Sequence, residues 1–139
     1  MKIVDVVAGL AYDYEKGAML LARRHPSDVG EWSEKWCLPG GKVEVDETLA
    51  QALTREWWEE LDGELLVGRL LSVHIYHTEG YPHPYRVHVF EVLPITEPKI
   101  TPEGGTELAW VPVQDIDPDN VLPSTLRGLE SLQALLGAS

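Results

Sequence analysis

At 139 residues and 44% hydrophobic, the chain is long enough for one domain with an ordinary core and too apolar for wholesale disorder. Its formal charge of −12 works against nucleic acid or an anionic membrane as a partner, but not against a small phosphorylated ligand held by local cations. A single cysteine, Cys37, excludes an internal disulfide, and no apolar run reaches the ~20 residues of a membrane span.

The opening Met1-Lys2-Ile3-Val4-Asp5 is acidic where a secretory signal would stay apolar, so a cytoplasmic protein is expected. Residues 3–11 are apolar and β-branched and read as a strand. Residues 12–17 read as a turn, and residues 18–22 as a second strand completing a hairpin. Residues 27–35 form a polar loop, and Pro39-Gly40-Gly41 reads as a break. Residues 47–61 are the clearest helix: Leu49, Leu53, Trp57 and Leu61 recur every four positions, Asp46 is placed to cap its start, and Asp62-Gly63 ends it. Residues 65–78, 85–92 and 107–113 read as further strands, with Trp110 in the core. Pro123 opens a last helix whose buried face is Leu126, Leu129, Leu132, Leu135 and Leu136. This order of elements suggests an α+β domain spanning 1–139, a mixed sheet with helices on its faces.

The first helix carries Glu56, Glu59 and Glu60 within an arc of roughly 100°. Glu60 projects inside the leucine stripe and Glu56 at its margin, with Arg55 as the helix's one basic residue. A solvated face would put the acids opposite the leucines and interleave lysines. Carboxylates that converge at the edge of a core instead suit an oxygen cage for Mg²⁺ or Mn²⁺. Gly40-Gly41 lets backbone approach a ligand closely, and Arg55 is placed to pair with Glu47, a little over two turns before it.

From Gly41 to Gly63 the sequence resembles the Nudix box, G-x5-E-x7-R-E-U-x-E-E-x-G-U, where U is a bulky aliphatic. Gly41, Glu47, Arg55, Glu56, Glu59 and Glu60 match in register, and Trp36-Cys37-Leu38-Pro39-Gly40 resembles the usual lead-in. Trp57 departs from an aliphatic. Asp62 and Gly63 depart from the final Gly and aliphatic, so an altered exit turn is expected.

The resemblance implies a Nudix α/β/α sandwich and a metal-dependent hydrolase of nucleoside diphosphates linked to another group. It implies that Glu56, Glu59, Glu60 and the Gly40 carbonyl hold the cation, while Glu47 and Arg55 organise loop and helix. Glu103 or Glu107 in the late loop would supply the base, Glu103 being favoured. Arg23, Arg24 and Lys42 would clamp outer phosphates, although a strand end in solvent is the plain alternative for the two arginines. Shortness is similar to MutT-type members acting on nucleoside triphosphates. Tyr81 keeps dinucleoside polyphosphates open as substrates, nucleotide sugars are a further option, and a silent nucleotide-binding domain is the rival class.

Other residues are less telling. His74 and His88 could line a pocket but fit strand packing better. Trp58 projects away from the apolar stripe, which suggests cover by Trp32 or a homodimer contact.

Overall fold

The computed structural model describes residues 2–26 and 32–137. Seven strands are formed among them: β1 (Val4–Asp13), β2 (Ala18–Arg23), β3 (Trp36–Cys37), β4 (Gly40–Lys42), β5 (Leu65–Tyr76), β6 (Tyr85–Pro94) and β7 (Glu107–Pro112). Two α-helices accompany them, α1 (Leu49–Leu61) and α2 (Pro123–Gly137). The sheet runs β3-β2-β1-β6-β5, with β4 added to β1 and β7 added to β2. β1 and β6 are parallel and the other pairs antiparallel, so the sheet is mixed, as expected.

β1 is buried on both faces, which is why it reads as a continuous apolar run. On one face, Val7 and Ala11 join Ala52, Leu53, Trp57 and Leu61 of α1. On the other, Ala8 and Leu10 join Leu129 and Leu132 of α2. The helices therefore sandwich the sheet. Gly9 of β1 faces the indole of Trp57, which lies 3.1 Å from where a Cβ would stand, so the larger Trp57 is accommodated by the absence of a side chain there.

The β1–β2 hairpin forms around Asp13, whose carboxylate accepts from the Glu15 and Lys16 amides. Gly17 closes it in the left-handed region at φ 61°. Pro39-Gly40-Gly41 is not a simple break: Gly40 and Gly41 pair with Ala8 and Val7 of β1. A Cβ on Gly40 would overlap the Val7 carbonyl, so only glycine permits this approach.

Several expectations are corrected. Thr48, not Asp46, caps α1: its hydroxyl accepts from Gln51 N at 3.1 Å while the Gln51 side chain accepts from Thr48 N at 2.9 Å. This reciprocal pair satisfies two open donors where a lone Asp would satisfy one. Asp62 ends the helix in the left-handed region, at φ 48°, and donates its N–H to Trp58 O, which is the altered exit turn.

On α2, Thr125, Gly128, Leu129 and Leu132 are the buried residues. Leu135 and Leu136 lie past the last core contact and are exposed. Trp110 is 43% exposed rather than core, because α1 covers that sheet face as far as Leu108 and no farther along β7. Trp58 is 59% exposed as expected, but Trp32 does not cover it. Trp32 packs on Tyr81 and Tyr85 instead, at centroid distances of 4.9 and 5.7 Å. The part of the polar loop at residues 27–31 lies outside the described residues. Among those described, no helix is long and apolar enough to cross a membrane.

Candidate active site

Arg55 is the centre of the acidic cluster. Its guanidinium grips Glu47 with two bonds, Nε to Oε2 at 2.8 Å and Nη2 to Oε1 at 3.0 Å. It also donates to Glu56 at 2.8 Å, to Glu59 at 3.3 Å and to the Lys42 carbonyl at 3.0 Å. A planar fork can serve partners on several sides at once, as a lysine cannot. The paired arginine holds the Glu47 carboxyl below its ordinary range. Helix and preceding loop are thereby locked together, as the spacing predicts.

Glu56 and Glu60 face a cavity of about 690 Å³, within the usual size range of small-molecule sites. A Cβ on Gly41 would overlap the Glu56 carboxylate, so glycine there makes the room in which that group sits. Burial raises the Glu56 carboxyl despite the opposing pull of Arg55. Glu60 is pushed further, to about 8, first by burial and then by the negative charge of Glu56. Its carboxylate accepts a hydrogen bond from Gly40 N at 2.8 Å, which offsets only part of that cost.

Among the described residues, no three His, Cys, Asp or Glu side chains stand ready as a cation cage. Arg55 engages Glu56 and Glu59, and Glu60 turns to Gly40. The donor chemistry nonetheless fits a divalent cation. The Glu56 carboxylate lies against Gly41 and that of Glu60 accepts from Gly40 N, and partial burial raises both carboxyls, a cost that a bound cation would offset.

These shifts predict a pH-dependent stability. The folded Glu60 carboxyl binds its proton more tightly than the unfolded one, so the folded state holds the extra proton between about pH 4.5 and 8. In chelator, stability should therefore fall as pH rises through that window, with Glu56 acting in the same direction. The lowered carboxyl of Asp5, held at about 2 by Arg86 and His88, acts below the window. Thermal melts at pH 5, 6.5 and 8 in chelator should show the decline, and Glu60→Gln should flatten it. An equal decline in Glu60→Gln would contradict the assignment.

Of the other predicted residues, Glu103, Arg24, Lys42 and Gly40 line the same cavity. Arg23 does not. It pairs with Glu107 at 3.1 Å across the β2–β7 register and donates to the Glu34 carbonyl, which also removes Glu107 from the cavity wall. His88 binds Asp5 at 3.0 Å and, like His74, lies off the cavity.

The same cavity is also lined by aromatic rings, those of Trp32, Tyr76, Tyr81 and Tyr85, with Thr78 and Ser124 as polar neighbours. Arg24 lies over Trp32 at 5.5 Å and the Lys42 ammonium over Tyr85 at 5.8 Å, so two cations that line the cavity sit against its aromatic rings. Sequence reasoning missed these rings apart from Tyr81. Trp32 comes from a stretch more than 40 residues before the others, and the one local signal was the density of Tyr, His and Pro between residues 76 and 85.

Comparison with known proteins follows the same lines. A model of the NUDIX domain matches residues 3–131. A CTP pyrophosphohydrolase of Escherichia coli (strain K12) is 31% identical over 138 residues, covering 99% of this chain and 97% of its own length. The solution structure of the E. coli ORF135 protein superposes with a TM-score of 0.80 at 29% identity, covering 99% of this chain and 94% of that one. A MutT NUDIX hydrolase from Burkholderia pseudomallei shares the fold, with a TM-score of 0.82 at 24% identity over 95% of this chain and 99% of that one. None of this adds support for the homodimer expected from Trp58.

Proposed function

Since the chain belongs to the NUDIX family and is a pyrophosphohydrolase, we propose that it cleaves the pyrophosphate linkage of a nucleoside triphosphate, or a related nucleoside diphosphate compound, with Mg²⁺ or Mn²⁺. The observation that carries this reading is one cavity lined both by carboxylates, those of Glu56, Glu60 and Glu103, and by the aromatic rings of Trp32, Tyr76, Tyr81 and Tyr85. Phosphates suit the carboxylates only when cations offset them, and a base suits the rings.

Glu56, Glu59, Glu60 and the Gly40 carbonyl would hold the cation, which when bound supplies positive charge to the pyrophosphate oxygens. Arg55 and Glu47 keep those carboxylates in place. Arg24 and Lys42 contact the outer phosphates, and Arg23, engaged with Glu107, is given no part. Glu103 accepts a proton from water as the water oxygen bonds to phosphorus and the bridging P–O bond breaks. A nucleoside monophosphate and pyrophosphate leave. We take residues 1–139 as one catalytic domain acting in the cytoplasm.

The relative described as a CTP pyrophosphohydrolase supports a pyrimidine triphosphate as the first substrate to test. Tyr81 on the cavity wall supports including dinucleoside polyphosphates beside it. Product release should be followed with nucleoside triphosphates, dinucleoside polyphosphates and nucleotide sugars, in Mg²⁺, in Mn²⁺ and in chelator. Turnover is expected only with cation and should be lost in Glu59→Gln. Equal release in chelator would overturn the metal-dependent reading. Nucleotide binding without release from any substrate would point to a silent binding domain.

A further inference from the structure

The loop that carries Glu103 is fastened to the end of α1. Three carbonyls in the last turn of α1, those of Glu59, Glu60 and Leu61, lack partners within the helix. The loop supplies them: Thr101 Oγ1 donates to Glu59 O at 2.6 Å, Thr101 N to Glu60 O at 2.9 Å, and Lys99 N to Leu61 O at 2.9 Å.

The far side of the loop is held as well. His25 Nε2 donates to the Pro102 carbonyl at 2.6 Å, and Thr106 N to Arg23 O at 2.9 Å. Gly104 and Gly105 let the loop lie this close, since a Cβ on either would overlap the Glu60 or Arg23 carbonyl. Gly105 also adopts φ 137°. Glu103 thus sits between fastenings on both sides, one of them on the backbone of Glu59 and Glu60.

We propose that Thr101 and His25 are positioning residues, which set the Glu103 carboxylate in register with the Glu56, Glu59 and Glu60 cluster. The inference rests on Glu103 taking the proton from water. A loop attached only by its chain ends would sample many placements, and a misplacement of about 1 Å can cost on the order of 100-fold in rate. The Thr101 hydroxyl couples base and helix directly, so α1 acts as a common frame for both.

The test compares Thr101→Val, Thr101→Ser, Glu103→Gln and the double variant Thr101→Val/Glu103→Gln, on the best nucleotide of the panel in Mg²⁺. Thr101→Val is expected to lower kcat by about 10- to 100-fold with KM within about twofold. Thr101→Ser should restore most of it, and in the Glu103→Gln background Thr101→Val should have little further effect. Hydrogen exchange should quicken at Gly104 and Thr106 and leave β1 and β6 protected. His25→Phe should reproduce the kcat loss, and replaces Thr101→Val if that variant does not fold. Full activity of folded Thr101→Val, or losses that multiply in the double variant, would overturn the positioning role. Full activity of Glu103→Gln would instead reject Glu103 as the base, and the proposal with it.

Discussion

Glu56→Gln is expected to lower kcat by about 10³-fold or more while nucleotide binding changes only severalfold. Gln keeps the size of the side chain and one acceptor oxygen for Arg55, so the substitution removes charge and little else. Glu56 lies on the cavity wall, in the space that Gly41 leaves open. If Glu56 is one of the residues that hold the cation, a charged oxygen there would be a ligand and a neutral amide a much weaker one. Steady-state kinetics with a cation titration check this, with a melt to show that the fold survives. Near-native turnover at ordinary Mg²⁺ would remove Glu56 from the cation set. Gly41→Ala should approach the same defect by another route, because its methyl group would displace the carboxylate without altering charge.

Arg55→Ala should combine the next largest loss of activity with a marked loss of stability. The guanidinium is the shared partner of Glu47, Glu56 and Glu59, and its side chain is only 23% exposed. Removing it leaves Glu47, Glu56 and Glu59 as like charges without the guanidinium that pairs with all three. The expected cost is about 3 kcal/mol, or a fall in Tm of about 10 °C for a domain of this size. Arg55→Lys should recover little, since one ammonium cannot serve Glu47 bidentately and reach Glu56 as well. Denaturant titration and kcat measured on the same preparations test both parts. A change under about 0.5 kcal/mol would place the cluster in the class of weak surface pairs.

The same network explains why α1 was so legible. A period of four apolar residues can be read along one line of sequence, and so can the spacing of Gly41, Glu47, Arg55, Glu56, Glu59 and Glu60. These are local relations on a helix and the loop that enters it. The inward set of Glu60 was visible by projection alone, and its burial followed. The alternation and β-branching of the strands likewise located β1, β2, β5 and β6 to within a few residues. Where local choices competed, the reading failed. Asp46 and Thr48 are both good caps, and Gln51 decided between them by closing a reciprocal pair.

By itself, then, the sequence determined the helix–loop unit of the site, the mixed character of the sheet and the family of chemistry. Tertiary structure alone decided the rest, because the remaining contacts join residues far apart in the chain. Arg23 went to Glu107 and Arg24 to the cavity according to which side of β2's end each occupies. Trp32, Tyr81 and Tyr85 became one aromatic cluster only when the Trp32 segment met the start of β6 and the turn before it. Glu103 came to line the same cavity as Glu56 and Glu60 on a loop whose Thr101 bonds the last turn of their helix. Sequence spacing carries the geometry of one helix, whereas the pairing of distant carbonyls, rings and charges is set by how the layers pack.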